Sequence, residues 1–287
     1  MIITERLSNI RKDTRWLAVW TGTIALVGLW DLLFLNKPAM RLVVKGFFNT
    51  FLVAGMVTVF VLLFGWIGAL VLDSLALRRG KAGYMVAAFV MNLIRSIPQV
   101  VGVLFGYVFV AALAKRGALG SNMLIFTLMA LIMSVFVFSE MVDLMRERIE
   151  HFRKRDFYNA MLVCGVSENR IINFNILWKN SRVHIFNKLI SVIGTAVFLQ
   201  CSVDFIISVG LSTDVSAVSL PPTLGSLLAK IDSKQDILAI GHTLTHPLYA
   251  PNLFLGHLQG ITVAFLIVFT LLCIHKISNG YAERHHL

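Results

Sequence analysis

Charge is scarce in this chain. Asp, Glu, Lys and Arg make up 14% of its 287 residues, and hydrophobic residues make up 57%. A soluble domain is about 25% charged and roughly 45–50% apolar. Mean hydropathy is +0.78. This composition excludes an ordinary soluble globular protein. Cysteine is scarce too: Cys164, Cys201 and Cys273 are scattered and form no CxxC pair. That spacing supports neither a disulfide framework nor a metal cluster, and the three read as small buried hydrophobes. A G-x-x-x-x-G-K-[ST] phosphate loop is missing; Gly80-Lys81 is its nearest trace and has no strand context. The chain therefore does not hydrolyse ATP by that route. No basic-plus-aromatic pattern suits RNA or single-stranded DNA, so no nucleic-acid partner is expected. The sequence shows no internal repeat and no low-complexity tract. Met1 to Arg15 is polar, and the long apolar run behind it lacks a small-residue cleavage site, which predicts a retained first membrane helix rather than a cleaved signal.

What the chain has is apolar runs near the length that crosses a bilayer, about 20 residues. Six can be drawn: Trp16 to Leu35; Thr50 to Leu72, extending as far as Leu77; Tyr84 to Leu113, interrupted by Arg95 and Pro98; Asn122 to Ser139; Val183 to Val209; and Leu258 to Ile274. The fold class expected is an all-α polytopic membrane protein with six transmembrane helices. The net charge of +11 is then first a topology signal. With the amino terminus inside, 18 Lys and Arg fall in inside segments and seven in outside segments, with Arg95 within a span. Cytoplasmic loops are enriched in Lys and Arg, so both termini are expected in the cytoplasm. The longest outside segment, residues 210–257, carries Leu220-Pro221-Pro222. After it comes an amphipathic stretch with Leu224, Leu227, Leu228, Ile231 and Leu238, expected as a short helix over the outer mouth.

The inside segment Asp156 to Asn180 is the most informative. Its first half carries Phe157, Ala160, Met161 and Cys164, an i, i+3, i+4, i+7 stripe. Its second half opens at Ser167, a plausible N-cap, and carries Ile171, Ile172, Phe174 and Ile176. Gly165 between them allows a sharp change of direction. Such a helix–Gly–helix knob suits a membrane channel that another protein must push.

Other residues have two readings each. Asp204 is an acid in or at the edge of a span, where a charge costs roughly 2.5–3.5 kcal/mol on insertion scales. It either lines a polar pathway or reaches the outer headgroups. Arg95 either lines or gates the pore, or packs and pairs between helices, with Asp204 as one partner to consider. His242 and His246 have the i, i+4 spacing of a metal pair, but Pro247 ends any helix there, and they read with His257 as loop histidines without a metal. Glu140, Asp143, Glu147 and Glu150 lie beside Arg146, Arg148, Arg153 and Lys154; this mixture reads as a solvated helix extension with i, i+4 pairs, or as part of a docking face.

Several stretches resemble one family in order and spacing. Asn159-Ala160-Met161, Gly165 and Ile176-Leu177-Trp178 fill the places of an EAA, three residues, G and I-L-P pattern. Pro222 to Ala229, PTLGSLLA, resembles a P-[ST]-W-G-x-x-L-[AS] stretch. Gln200 to Phe205 stands where E-A-S-L-S-F is usual, Ile94 to Pro98 resembles an I-P step, and Gly260 to Ala282 resembles a closing helix with a G-[LI]-R-D-A tail. These are features of ABC-importer permeases, binding-protein-dependent transport inner-membrane components, and the chain most resembles the dipeptide, oligopeptide and nickel branch, over roughly residues 45 to 284. It departs in Asn159 for Glu, Met161 for Ala, Trp178 for Pro and Leu224 for Trp, and residues 36–46 lack the H-P-L-G-T-D-x-x-G-R-D stretch of peptide permeases.

The resemblance implies a type I architecture. Residues 1–45 would hold a cytoplasmic terminus, the first membrane helix and a short outer loop; residues 46–287 would form the permease core, with a coupling loop (156–180) and an outer loop (210–257). It implies ABC ATPase subunits inside, a second permease subunit, a solute-binding protein outside, surrounding membrane lipid, and residence in a bacterial cytoplasmic membrane. ATP and Mg would be bound by the partner ATPase, with no cofactor in this chain and no covalent catalysis. Asn159, Ala160, Met161, Gly165, Ser167, Ile176 and Leu177 would couple to the ATPase. Arg95, Pro98, Ser202 and Asp204 would line the substrate pathway, for a peptide, nickel chelate or opine. The other readings are a stand-alone channel or secondary transporter, in which the Gly165 knob is incidental, and a membrane enzyme, for which the outer histidines are the sole starting point.

Overall fold

A computed structural model describes residues 12–77, 81–117, 119–210, 220–256 and 258–285. Residues 1–11 of the amino-terminal stretch, Gly80, His257 and residues 211–219 of the outer loop, all used above, lie outside them. The described residues are helical throughout, with no strand among them. Helix α1 is Lys12–Phe34, α2 Lys37–Leu77, α3 Lys81–Ser96, α4 Gln99–Lys115 and α5 Asn122–Arg153. Next come α6 (Asp156–Val163), the single turn α7 (Glu168–Arg170) and a π-helical run, Ile171–Asn180. Then follow α8 (Arg182–Gly210), α9 (Leu224–Leu228), α10 (Ile231–Thr245), a 3₁₀ turn (Pro247–Tyr249), α11 (Ala250–Gly256) and α12 (Leu258–Arg284).

Five of these, α1, α2, α5, α8 and α12, are long and apolar enough to cross a membrane; the α3–α4 pair makes a sixth if it is counted as one span. Among the boundaries that differ from the sequence reading, two have a direct physical reason. Helix α2 begins at Lys37, not Thr50, and runs 41 residues, about 62 Å. Charge at Lys37, Arg41 and Lys45 ends an apolar window but does not end a helix. The third span is not one helix: α3 and α4 meet at 89°. Pro98 stands as the N-cap of α4; it has no N–H to continue α3 and it disfavours helical backbone at Ile97.

The core lies between α2, α5 and α8. Helices α2 and α5 run parallel, since Gly65 faces Met141, Gly68 faces Val142, and Asp73 pairs with Arg153. At Gly65 a Cβ would come within 2.7 Å of the Met141 Cβ, so the missing side chain sets the closeness of the two helices. Helix α4 runs antiparallel to α5, with Gly102 against Phe136 and Tyr107 bonded to Met133. The fully buried filling is mostly aliphatic and thioether, Met129, Met133, Met141, Met145, Ile149, Ile171, Ile176 and Leu177, with Tyr107 among it.

Helix α1 lies against α12. Three polar contacts join them along that seam: Thr262 Oγ1 donates to Asp31 Oδ1 at 2.9 Å, Trp20 Nε1 donates to Thr270 Oγ1 at 3.1 Å, and Arg284 pairs with Asp13 at 2.7 Å. The α6–π segment therefore sits at one end of the bundle, beside the ends of α2 and α5. Helix α9 sits at the other, beside the start of α2 and the end of α8.

Candidate functional site

At the first end, α6 stops in a Schellman turn. The Gly165 N–H donates to Leu162 O at 2.9 Å and the Val166 N–H to Met161 O at 3.1 Å. Gly165 has φ +78°, and a Cβ there would meet none of the described residues beyond its chain neighbours within 4 Å. Glycine is required by the backbone, not by crowding. The chain then turns at Ser167, which occupies the N-cap position of α7, although its side chain makes no capping bond.

Most of the stripe Phe157, Ala160, Met161, Cys164 faces outward, although Met161 packs against the core and the Phe157 ring lies 6.4 Å from that of Phe152. Phe157, Ala160 and Cys164 are exposed, Met161 is half-buried, and Tyr158 is the buried residue of α6. Asn159, Gly165 and Ser167 are exposed; Ile176 and Leu177 are fully buried. Predicted coupling residues thus fall into two groups. One is an outward knob, with Val163 at 89% exposure. The other is an anchor, Ile171, Ile172, Ile176 and Leu177, within the core. Phe174 and Trp178, on the opposite side of the π-helical run, are exposed at 53% and 61%.

One arginine holds the knob to the bundle. Arg153 donates to both Asp73 carboxylate oxygens at 2.7 and 2.9 Å and to Glu168 Oε1 at 3.1 Å. Its guanidinium lies 5.6 Å from the centroid of the Tyr158 ring. The Tyr158 hydroxyl donates to the same Glu168 oxygen at 2.6 Å. Burial, then the bond to Glu168, raises the Tyr158 phenol above its ordinary range. Trp66 Nε1 donates to Asn173 Oδ1 at 2.8 Å, a second tie from α2 to the π-helical run. Sequence reasoning missed Asp73 and Glu168 as parts of this site. The available signal was Asp73 itself, an acid at the end of an apolar helix.

The acidic and basic residues of α5 mostly pair across helices. Lys154 meets Glu150 at i, i+4, but Arg95 pairs with Asp143 at 2.6 Å and Lys188 with Glu140 at 2.6 Å. Gln99 Nε2 adds a bond to Glu140 Oε1 at 3.3 Å. Pro98 is exposed at the α3–α4 break, beside this group. Arg95 and Asp204 are not partners, because they lie at opposite ends of the bundle.

At the far end, Asp204 is 5% exposed and its Oδ2 accepts from Thr223 Oγ1 at 2.6 Å. Thr223 caps α9 through a reciprocal box with Ser226. The Leu224 N–H donates to Thr50 Oγ1 at 3.0 Å, and Asn49 Nδ2 donates to Pro222 O at 2.7 Å. A Cβ on Gly225 would lie 2.6 Å from the Cys201 Cα, so the PTLGS turn is pressed directly on the α8 backbone. Ser202 is half-buried nearby on α8. His242 and His246 stack at 4.5 Å; among the described residues no cluster of three or more His, Cys, Asp and Glu could hold a metal ion.

The family described as "Binding-protein-dependent transport system inner membrane component" matches residues 62–277, three quarters of the chain. The chain belongs to this family. The matched residues run from α2 to α12 and include the clamp, the Gly165 turn and the α9 plug. The fold is that of a type I ABC importer permease, and the chain is the inner-membrane permease component of a binding-protein-dependent transporter. The family transports rather than catalyses, and works with an ABC ATPase and a binding protein. A comparison with curated proteins finds no match.

Proposed function

We propose that this permease forms the substrate pathway of an ATP-driven importer and is driven by a separate ATPase through residues 156–180. The observation that carries the reading is the outward knob of α6. Phe157, Leu162 and Val163 are exposed on a short helix that is clamped at its base by Arg153 and reversed at Gly165. Exposed apolar side chains around a rigidly held short helix, outside the apolar stretches, suit insertion into a groove of a partner. Asn159, Ala160, Met161, Gly165 and Ser167 form the contact, and Ile176 and Leu177 pass its motion to the core. ATP and Mg belong to the ATPase. Both termini and this segment lie in the cytoplasm of a bacterium, residues 1–45 precede the core 46–287, and residues 210–257 face the binding protein. A second permease subunit completes the pathway, which Ser202 and Asp204 line. The cargo is a peptide or a related small solute such as a nickel chelate or opine. Mechanistically, ATPase closure moves the knob, and the bundle rocks between inward-open and outward-open states.

The test is recovery of the chain from gently solubilised membranes. The expected companion is an ATPase bearing a G-x-x-x-x-G-K-[ST] loop, lost when Phe157 and Val163 are both changed to Asp. A chain that transports when purified without any ATPase is a stand-alone channel or secondary transporter, and the proposal is then wrong.

A further inference from the structure

Helix α3 is where the sequence and the geometry part most, and one side of it is exposed among the described residues. Helix α4 packs antiparallel along α5, a membrane-crossing helix, so α4 lies along the crossing direction. Helix α3 makes 89° with α4 and therefore runs across that direction. Its contacts agree. Tyr84, near its start, accepts from Arg146 at 3.3 Å, and Arg95, near its end, pairs with Asp143 at 2.6 Å. Eleven residues of α3, about 16 Å, thus correspond to three residues of α5, about 5 Å. Those α5 positions are where its sequence passes from the apolar run ending at Ser139 to Glu140, Asp143 and Arg146.

The sides of α3 sort by the same geometry. Ala87, Met91 and Ile94 turn to α2 and α5, and Met91 is buried. Val86, Phe89, Val90 and Leu93 are all exposed and fall within about 100° of one another on the opposite side. Asn92, Arg95 and Ser96 form a polar edge between the two. A helix lying in a bilayer surface needs this arrangement: an apolar face for acyl chains and a polar edge at headgroup level.

We propose that α3 is an interfacial helix. It lies in the plane of the leaflet at the α6 end of the bundle, with Val86, Phe89, Val90 and Leu93 among acyl chains and Asn92, Arg95 and Ser96 at the headgroups. The occupant of this face is membrane lipid. Pro98 is the corner at which the chain leaves the surface and α4 enters the bilayer. The proposal rests on the membrane embedding of the family and not on the coupling assignment.

Spin labels test it. Val86→Cys, Phe89→Cys, Leu93→Cys and Asn92→Cys are made singly in the full chain after Cys164, Cys201 and Cys273 are changed to Ala. Each is assembled in its transport complex in lipid bilayers. Collision rates with oxygen and with a water-soluble nickel chelate give the depth. The expected result is one common depth for positions 86, 89 and 93, about 5–10 Å below the headgroups, with high oxygen collision, and ready collision of position 92 with the chelate. A depth that changes by about 1.5 Å per residue from 86 to 93 means that α3 crosses the bilayer, and overturns the proposal. Protection of 86, 89 and 93 from both reagents, with spin–spin coupling to another subunit, means that protein covers the face, and overturns it too. None of these readouts depends on ATPase coupling, so failure here and failure of the coupling assignment are distinguishable.

Discussion

Arg153 and Asp73 are joined by two parallel bonds of 2.7 and 2.9 Å, which fasten the end of α5 to the end of α2 across 80 positions of sequence. Both side chains are largely withdrawn from solvent, and the same guanidinium reaches Glu168 beyond the Gly165 turn. The pair therefore fixes where the knob stands relative to the two longest helices. Arginine suits the position because its planar fork meets both carboxylate oxygens while its face lies on Tyr158.

Arg153→Lys is expected to insert and fold but to couple poorly, because lysine keeps the charge and loses the fork. Hydrogen bonds between charged groups contribute roughly 1.5–3 kcal/mol each, and at least one is lost. Substrate-stimulated ATP hydrolysis in the reconstituted complex should fall several-fold, with the partner ATPase still bound. Full stimulation in Arg153→Lys would show that the clamp does not set the knob.

Tyr158 gives a pH signature. Burial and donation to Glu168 raise its folded pKa, so its contribution is present below the unfolded value of about 10. It is lost as pH rises through the raised value. Between neutral pH and about pH 10 the wild type should show no loss from this group, and above that it should lose stability. Tyr158→Phe should be less stable at neutral pH and should lack that alkaline component. Thermal unfolding midpoints of the two proteins across this range decide the matter; parallel curves would remove Tyr158 from the clamp.

Much of this was legible because the signals are local. A glycine between two amphipathic halves announced the reversal, and Gly165 does take positive φ. Apolar length announced the crossing helices. What was not legible depends on partners distant in sequence. Pro98 signals a break, but the 89° angle is set by how α3 meets α2 and α5. Glu140 and Asp143 looked like i, i+4 partners on one helix and instead meet Lys188 and Arg95. The stripe at Phe157, Ala160, Met161 and Cys164 has helical spacing, yet spacing alone does not say whether a face turns inward or outward, and here it turns outward. Ser167 has the right place for a cap, but its side chain does not make the bond.

Topology is open to direct labelling. With Cys164 removed, Ser233→Cys should react with an impermeant maleimide added to intact cells, and Ser167→Cys only after the membrane is opened. The basis is the excess of Lys and Arg assigned to inside segments. The reverse pattern would invert the whole assignment and place the knob where no ATPase is found.

Asp204 should be changed two ways. Asp204→Asn keeps an acceptor for Thr223, whereas Asp204→Leu leaves a hydroxyl of a 1% exposed residue without its partner, a cost of about 1–3 kcal/mol. If the carboxylate serves the pathway, uptake falls in both variants, with assembly and ATPase docking retained, and stability falls further in the leucine variant. Normal uptake by Asp204→Asn with unstable Asp204→Leu would assign the residue to holding the α9 plug and not to cargo.

Gly165→Arg bears most directly on function. At φ +78° a side chain meets a backbone penalty of about 1–2 kcal/mol. Among the described residues beyond its chain neighbours, none lies within 4 Å of the added Cβ, so the variant is expected to insert and to be expressed. Gly165→Ala carries the same backbone penalty without bulk or charge, and isolates that term. An arginine on the exposed tip adds a long cation to a surface that also exposes the apolar Phe157, Leu162 and Val163. In a partner's groove that charge would be desolvated. Uptake and substrate-stimulated hydrolysis should therefore be abolished in Gly165→Arg and only reduced in Gly165→Ala. Pull-down of the ATPase reports whether docking itself is lost. Should Gly165→Arg keep both its partner and full stimulated hydrolysis, the α6 knob is not the coupling element, and an apolar face at Phe174 and Trp178 becomes the surface to probe next.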